Sequence, residues 1–336
     1  SDPPADDPFR LTLYKMDYDT AGDAQGTASL EGAVFEVTQY TNTAGDVSGK
    51  AYRTWYFKTD AKGKLYCNDK AYLIPSFTTN TGTVYQSDEL YTDGAGNIIY
   101  PVGTYQIREI SAPKYYRLEG YMQFTWNPDH RADVTEGLKL VIRQDQNGES
   151  PVWYDGEDLV DGAITAGNPA VNVYDKVSRG SVTIFKQKAD GTKGPLSGVT
   201  FRIQGVEEGD EHTATTGEDG KVVWNNLIPQ EYVITEIKTQ DGYSLLKDNI
   251  EVKLPVEMTL DEINRNGADI DQAVFDEAAQ KYCFYDVTFT VSDSLDLQMP
   301  FTGGDQKRMY LLLAVGITAA GIGTTLLLRR RRKVKQ

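Results

Sequence analysis

Four short blocks of sequence occur twice in this chain of 336 residues, in the same order both times. The pattern L-x-G-x-x-F-x-[VI] occupies residues 30–37 and again residues 196–203. An apolar block that ends in lysine precedes each pattern, and a Gly-Lys block and a Tyr-x-x-x-Glu-Ile block follow it. These flanking blocks are residues 11–15, 63–65 and 105–110 in the first copy and residues 182–186, 220–222 and 232–237 in the second. Because the copies are spaced much further apart than solenoid repeats, we expect two tandem copies of one domain.

The residue types of these blocks predict β-structure. Alternating segments rich in Val, Ile, Thr, Tyr and Phe are separated by Gly, Asp and Asn, which is typical of strands in a β-sandwich. The predicted fold class is therefore all-β, with two immunoglobulin-like sandwiches and a C-terminal transmembrane helix. We place the first sandwich at residues 9–178 and the second at residues 179–295, after an N-terminal linker of residues 1–8.

The first predicted domain is longer than the second because it contains two insertions. One insertion, residues 66–97, is rich in tyrosine, and the other covers residues 117–168. The second domain contains apolar residues at helical spacing within residues 259–282, interrupted by Gly267. This spacing predicts a helix there.

The C-terminal part of the chain has the layout of a membrane anchor. Residues 309–328 are 20 consecutive residues without a charge, and a helix of this length spans about 30 Å, the thickness of a bilayer core. Residues 329–336 are strongly basic, which predicts a cytoplasmic tail. The residues before the helix are then expected outside the cell. Because the chain starts at Ser1 in a polar Ser-Asp-Pro-Pro stretch without the apolar core of a signal peptide, we expect that a signal peptide has been removed.

A linker of residues 296–308 precedes the predicted helix and contains a pentapeptide with proline and glycine. Proline keeps this segment out of regular structure, and glycine leaves the preceding peptide bond sterically open. With the apolar span and the basic tail, the pentapeptide resembles the LPxTG-like sorting signal of Gram-positive surface proteins, with methionine in the first position. Its residues are Met299, Pro300, Phe301, Thr302 and Gly303.

This resemblance implies a sortase as partner. The sortase cysteine attacks the carbonyl of Thr302, releases the chain from Gly303 onward and transfers Thr302 to an amine. That amine belongs to another pilin subunit or to a peptidoglycan precursor. The protein is then expected at the cell wall of a Gram-positive bacterium, anchored in the membrane by residues 309–328 only until it is sorted.

Strand alternation directs three charged side chains of each domain toward the apolar layer. Side chains on one face of a strand recur every second residue, so Lys15 shares a face with Leu11 and Leu13. The same alternation selects Lys15, Glu109 and Asp175 in the first domain and Lys186, Glu236 and Asp293 in the second. Because a buried unpaired charge costs several kcal/mol, the three side chains of each set are expected to lie together.

A buried set of this kind suits amide formation. Desolvation lowers the pKa of a lysine and raises the pKa of a carboxyl group, so a neutral amine can face a protonated acid. The amine attacks the carbonyl carbon of the aspartic acid, and water leaves. The neighbouring glutamic acid polarises the carbonyl and transfers protons. The product is an uncharged crosslink between the first and the last strand.

The arrangement resembles the CnaB-type domains of Gram-positive pilins and adhesins. The resemblance implies isopeptide bonds between Lys15 and Asp175 and between Lys186 and Asp293, promoted by Glu109 and Glu236 respectively. In the first domain the sequence around the glutamate also matches, with Pro113 four residues after it. In the second domain Gln240 stands in place of that proline.

Two further residues are rivals at the crosslink positions of the second domain, and a third has a different predicted role. Lys188 shares the strand phase of Lys186 and is a rival nucleophile in the second domain, whereas Asp286 is out of phase and is a poor rival acceptor. Lys176 ends the sequence Val-Asn-Val-Tyr-Asp-Lys, which resembles a pilin motif with Asp in place of Pro. Lys176 is therefore a candidate pilin lysine, the amine that a sortase would join to another subunit.

Composition argues against several other functions. The net charge of −15 argues against nucleic-acid binding, which needs a basic surface. Cys67 and Cys283 fall in different domains and are expected to be buried free thiols. With two cysteines and two distant histidines, no metal or cofactor is expected. The series Asp17, Asp19 and Asp23 is a weak calcium-loop candidate, because it lacks the glycine and the final glutamate of an EF-hand.

These features predict a cell-wall-anchored pilus subunit, of the minor class that occupies the base or decorates the shaft. No motif for turnover catalysis is present, so we do not expect an enzyme beyond single-turnover formation of the crosslinks. The alternative is a monomeric wall-anchored adhesin, in which the tyrosine-rich insertion binds a host protein or glycan.

Overall fold

The computed structural model describes residues 11–125, 128–145, 148–155, 158–160, 170–189 and 192–292. The chain divides into two compact units, which we call domain 1 and domain 2. Domain 1 contains the chain up to Val177 together with Glu277–Gln280, and domain 2 contains the remainder from Ser178 onward.

The described part of domain 1 contains strands β1 to β16 and one short 3-10 helix, Lys70–Tyr72. The strands are β1 Thr12–Asp17, β2 Val34–Tyr40, β3 Arg53–Lys58, β4 Lys64–Tyr66, β5 Leu73–Ile74, β6 Ser76–Thr78, β7 Val84–Gln86, β8 Tyr91–Thr92, β9 Ile98–Ile99, β10 Gly103–Ser111, β11 Tyr116–Phe124, β12 Ala132–Asp133, β13 Leu138–Asp145, β14 Gly148–Asp155, β15 Asp158–Val160 and β16 Ala170–Val177.

Two main sheets form domain 1. One has the strand order β12-β11-β16-β1-β4, and the other has the order β15-β14-β13-β10-β2-β3-β5. Apolar side chains from both sheets form one buried core, with Leu13 and Val173 from the first sheet and Val37 and Ile107 from the second. Burial of these alternating residues is what stabilises the sandwich.

The described part of domain 2 contains strands β17 to β26, helix α1 and a 3-10 helix, Ile270–Gln272. The elements are β17 Gly180–Gln187, β18 Thr200–Gly205, β19 Glu211–Thr215, β20 Lys221–Leu227, β21 Gln230–Lys238, β22 Ile250–Leu254, β23 Val256–Met258, α1 Leu260–Asn266, β24 Val274–Asp276, β25 Lys281–Phe284 and β26 Asp286–Ser292.

Domain 2 has smaller sheets than domain 1. Their strand orders are β20-β17-β26, β19-β18-β21-β22 and β23-β25-β24. Ile184 and Phe289 from the first of these sheets share a buried core with Phe201 and Ile234 from the second. The all-β prediction is therefore confirmed, with β-sandwich packing in both domains.

The helix predicted within residues 259–282 is wrong over most of its length. Helix α1 begins with a capping box between Thr259 and Glu262 and ends at Gly267, which adopts a left-handed conformation (φ 65°). Glycine in this conformation terminates a helix, and the apolar residues that follow belong instead to the 3-10 helix and to β24 and β25.

The first and the last strand of each domain pair in parallel. In domain 1, Lys15 of β1 lies opposite Val173 of β16. In domain 2, Lys186 of β17 lies opposite Val291 of β26. The repeat seen in the sequence therefore corresponds to a repeated strand register.

Among the helices of the described ranges, none is long and apolar enough to cross a membrane. The predicted transmembrane segment, residues 309–328, the basic tail and the linker before them lie outside the described residues.

Candidate functional site: a buried lysine–carboxylate contact in each domain

The centre of domain 1 contains three charged side chains that are shielded from solvent. The Nζ atom of Lys15 lies 3.1 Å from Oε2 of Glu109 and 2.9 Å from Oδ2 of Asp175. All three side chains have a solvent-exposed fraction of 0%. One amine therefore contacts two carboxyl groups inside the apolar core.

The two sheets supply different members of this set. Lys15 and Asp175 come from the adjacent strands β1 and β16, and Asp175 lies two residues beyond the position opposite Lys15. Glu109 comes from β10 in the other sheet, where it lies opposite the buried Phe35. The phenylalanine of the repeated L-x-G-x-x-F pattern thus forms part of the apolar surroundings of the glutamate.

Burial shifts both carboxyl groups toward their protonated forms. Burial raises the pKa of Glu109 well above its ordinary value, and the nearby Asp175 carboxylate raises it further. Burial also raises the pKa of Asp175, although the Lys15 amine acts in the opposite direction. Protonated Glu109 can donate a hydrogen bond to Asp175, which stabilises the ionised form of Asp175. Protons in this set can therefore be shared among three groups.

Two glycines hold the lysine backbones in place, a role that is not evident from the sequence alone. Gly63 accepts a hydrogen bond of 2.7 Å from the backbone N–H of Lys15, and Gly220 accepts one of 2.8 Å from Lys186. Both glycines have positive φ, and a Cβ atom on either would lie 2.6–2.7 Å from the lysine carbonyl oxygen. Glycine is required at both positions, and its occurrence in both Gly-Lys blocks was the signal available in the sequence.

Domain 2 repeats the lysine–glutamate contact. The Nζ atom of Lys186 lies 2.9 Å from Oε2 of Glu236, and both side chains have an exposed fraction of 0%. Glu236 of β21 lies opposite the buried Phe201, as Glu109 lies opposite Phe35. Asp293, the third predicted member, is two residues beyond Val291 in the sequence but lies outside the described residues.

Lys188 and Asp286, the alternative nucleophile and acceptor in domain 2, are less buried than Lys186. Lys188 lies just beyond the end of β17 and is half-buried, whereas Lys186 is fully buried. Asp286 is exposed at the start of β26, where its Oδ1 accepts a hydrogen bond of 2.6 Å from the Ser181 hydroxyl. The full burial of Lys186 and its contact with Glu236 therefore favour Lys186 over Lys188 as the nucleophile of domain 2.

Lys176, the candidate pilin lysine, follows Asp175 on β16. Its Nζ atom lies 2.5 Å from Oε1 of Glu119 and 5.2 Å from the centre of the Tyr18 ring. The hydrogen bond with Glu119 raises the pKa of Lys176. This contact stabilises the charged amine, which is not the nucleophilic form.

The Asp17 carboxylate, part of the calcium-loop candidate, is occupied by hydrogen-bond donors. It accepts hydrogen bonds from the backbone N–H groups of Asp19 and Thr20, from the Gln25 amide and, at 2.7 Å, from the Tyr116 hydroxyl. Within the described residues, no cluster of three or more His, Cys, Asp or Glu side chains is arranged to hold a metal.

Cys67 and Cys283 are both buried, and they are not joined in a disulfide. Burial raises the pKa of the Cys67 thiol far above its ordinary value, so this group is not a thiolate. The pentapeptide Met299 to Gly303 lies outside the described residues.

Two family profiles match the chain. Residues 180–266 match the SpaA family, described as a prealbumin-like fold domain. Residues 298–335 match the LPXTG cell wall anchor motif. No curated protein sequence matches the chain.

Several solved structures of Gram-positive surface proteins match this chain at 16% sequence identity. The TIE protein of Bacillus anthracis matches over 85% of this chain with a TM-score of 0.40, and this chain spans 34% of its length. The minor pilin GBS52 of Streptococcus agalactiae matches over 88% of this chain and 99% of its own, with a TM-score of 0.25. A C-terminal fragment of the pilus adhesin SpaC from Lactobacillus rhamnosus GG matches over 85% of this chain and 97% of its own, with a TM-score of 0.34. Similarity at this level identifies no ligand and no site.

The two profile matches define the class of protein. The anchor motif makes the chain a sortase substrate at the cell wall of a Gram-positive bacterium. The chain is thus a wall-anchored surface protein that contains a prealbumin-like SpaA domain at residues 180–266. The predicted resemblance to sortase-anchored pilins and surface adhesins is thereby confirmed.

Proposed function

We propose that the chain is a minor pilin, basal or ancillary, whose two domains are each closed by an intramolecular Lys–Asp isopeptide bond. The contact of one buried lysine with a glutamate and an aspartate in domain 1 is the observation that carries this proposal. Sortase joins Thr302 to an amine of a pilus subunit or of a peptidoglycan precursor.

The bond forms by condensation of the lysine amine with the aspartic acid. A proton first moves from the Lys15 ammonium to the Asp175 carboxylate, which gives an amine and an acid with no net change of charge. The Nζ atom then attacks Cγ of Asp175, while protonated Glu109 donates a hydrogen bond to the carbonyl oxygen on which negative charge develops. The C–O bond to the Asp175 hydroxyl breaks, and water leaves with one proton from the amine.

The buried surroundings favour this product. Three ionisable groups in the core are costly even when they are paired, because each loses its hydration. An amide replaces the ammonium and the carboxylate by an uncharged group, and the raised pKa of Glu109 keeps that residue neutral as well. The same reaction in domain 2 joins Lys186 to Asp293, with Glu236 in the role of Glu109.

The reaction occurs once per domain, since the lysine and the aspartate are consumed. The protein is therefore not a turnover enzyme in this proposal. The bond links the first and the last strand, so tension between the ends of a domain passes through a covalent connection rather than through strand hydrogen bonds.

The tyrosine-rich insertion contributes to the packing of domain 1. Phe77 and Tyr85 stack with ring centres 4.8 Å apart, and both rings contact Tyr56 of β3. Tyr91 lies edge-on to the buried Trp55, with ring centres 6.0 Å apart. These contacts support the interpretation that the insertion covers the sandwich of domain 1. They do not favour the adhesin alternative, in which the insertion binds a host protein or glycan.

The experiment that separates a pilin from a monomeric adhesin is electrophoresis of denatured cell-wall extracts. We expect ladders of high molecular weight that contain this chain and that disappear with Thr302→Ala. Replacement of Lys176 by Arg should leave the ladders intact if another lysine accepts the sortase intermediate. A single wall-linked band in the unaltered strain would contradict the pilin assignment and favour the adhesin.

A further inference from the structure

Among the described residues, the closing strand of domain 2 has a neighbouring strand along only one of its edges. Strand β26 pairs with β17 on one side and stands at the edge of the sheet β20-β17-β26. No described residue donates a backbone hydrogen bond to its other edge or accepts one from it. An edge strand of this kind presents a row of unpaired N–H and C=O groups, which is a template for another strand.

Domain 1 fills the corresponding edge internally. Its closing strand β16 lies between β1 and β11, and β11 runs antiparallel along the edge that β26 leaves open. Met122 lies opposite Val173 in this pairing, and Val173 is the register equivalent of Val291. The fold therefore accommodates an antiparallel neighbour at this position, while domain 2 has irregular chain in the sequence region that follows its glutamate strand.

Strand β26 does not carry the usual protection of an exposed edge. Its seven residues include no proline, no lysine and no bulge, and its one charge, Asp286, is at the first position. Most of its residues are Val or Thr, which favour extended structure. Thr290 is exposed, and Thr288 is partly exposed.

The sequence of this strand is a palindrome. Residues 287–291 read Val-Thr-Phe-Thr-Val. When two copies pair antiparallel about a two-fold axis at Phe289, Val287 lies opposite Val291 of the second copy and Thr288 lies opposite Thr290. Asp286 then lies opposite Ser292 of the second copy, so no like charges meet. Such pairs of β-branched residues stabilise a sheet.

We propose that the occupant of this edge is a second copy of the chain, paired through β26 about a two-fold axis at Phe289. The two three-stranded sheets then form one continuous sheet of six strands, in the order β20-β17-β26-β26-β17-β20. This pairing is independent of the isopeptide bonds. A single pair of seven-residue strands is a small interface, so the association is weak and is favoured where copies are concentrated on one surface.

Cysteine pairing tests both the partner and the register. We would prepare the full-length chain in detergent with Thr288→Cys or with Thr290→Cys, mix the two variants and oxidise them. The native Cys67 and Cys283 are 0% exposed and do not compete. Directly opposed residues in an antiparallel pair are close enough for a disulfide, whereas diagonal neighbours are about 7–8 Å apart. The mixture should therefore form covalent dimers at least about tenfold faster than either variant alone.

A matched control uses the edge strand β19 of the same domain. Thr213 and Thr215 are also exposed threonines two residues apart, and a mixture of Thr213→Cys with Thr215→Cys should form few dimers. The proposal is overturned if the 288/290 mixture forms no more dimer than its separate components, or no more than the β19 mixture.

A second measurement does not depend on oxidation. Thr288→Lys combined with Thr290→Lys places lysines opposite each other twice across the axis. By sedimentation, dimers of this variant should be at least about tenfold weaker than those of the unaltered chain. The same lysines at 213 and 215 should have no effect. Association that survives the first change would contradict the proposed pairing.

Discussion

Domain 1 and domain 2 contain the same buried lysine–glutamate contact, but the sheets around this contact differ in their number of strands. In domain 1 the closing strand β16 has neighbours on both sides, and the facing sheet has seven strands. Within the described part of domain 2, the closing strand β26 has one neighbour and the facing sheet has four strands. The lysine contact, the glycine beneath the lysine and the phenylalanine opposite the glutamate are nevertheless the same in both.

This difference indicates what a crosslink contributes in each domain. The loops closed by the two bonds contain about 160 and about 110 residues, and loop-closure entropy gives each bond about 5 kcal/mol, with a difference below about 0.5 kcal/mol. The two bonds thus contribute nearly the same free energy, but the noncovalent structure around them differs between the domains. Domain 2 depends more on its bond than domain 1 does.

The largest expected effect is loss of a bond by replacing its glutamate. Glu109→Ala and Glu236→Ala should each leave their own domain uncrosslinked and heavier by one water molecule. Because the unfolding entropy scales with size, the same loss lowers the Tm of domain 2 by roughly 20 °C and that of domain 1 by roughly 14 °C. Calorimetry with separate transitions for the two domains measures this.

The control for that comparison is Glu231→Ala, at an exposed position on the same strand as Glu236. It should retain both bonds and change the Tm of domain 2 little. Equal Tm losses in the two domains, with both bonds absent, would contradict the expectation that the smaller domain 2 depends more on its bond.

A smaller effect is expected from pH on the rate of bond formation in domain 1. Amide formation requires protonated Glu109, whose pKa is raised by burial, so the reaction should persist above the ordinary pH range of carboxyl groups. As pH rises through that raised pKa, the proton donor is lost and the rate should fall. Chain made by cell-free synthesis and folded at different pH values would be digested, and the Lys15–Asp175 peptide would be followed over time.

A pH dependence opposite to the expected one would contradict the proposed role of protonated Glu109. A rate that rises steadily over the whole alkaline range would show that loss of a proton from the lysine limits the reaction and that protonated Glu109 is not needed. Replacement of Glu109 by Gln removes the titrating carboxyl group, so any pH dependence that remains belongs to other groups.

Alternation in the sequence was sufficient to select Lys15, Glu109 and Asp175, because a strand period of two leaves little choice of face. The contact of Lys186 with Glu236 follows from the same rule. The roles of Gly63 and Gly220 were not predictable, since they depend on the approach of one backbone to another strand. Their repetition was visible, but its reason was not.

Two other features differ from the sequence-based expectation, one for a local reason and one for a tertiary reason. Helical spacing within residues 259–282 was outweighed by Gly267, which ends α1 after Asn266. The open edge of β26 was not predictable, because strand order decides which edge is left without a neighbour. The anchor, by contrast, was fully visible in the sequence, since its recognition depends on a motif, an apolar span and a basic tail.

The most direct test of the central claim is the intact mass of the folded chain, measured after denaturation. Two Lys–Asp bonds predict a mass lower than that of the sequence by two water molecules, with Lys15 joined to Asp175 and Lys186 joined to Asp293 in the digest. A mass equal to that of the sequence would show that the buried lysines form ion pairs only, and it would contradict the account given for both domains.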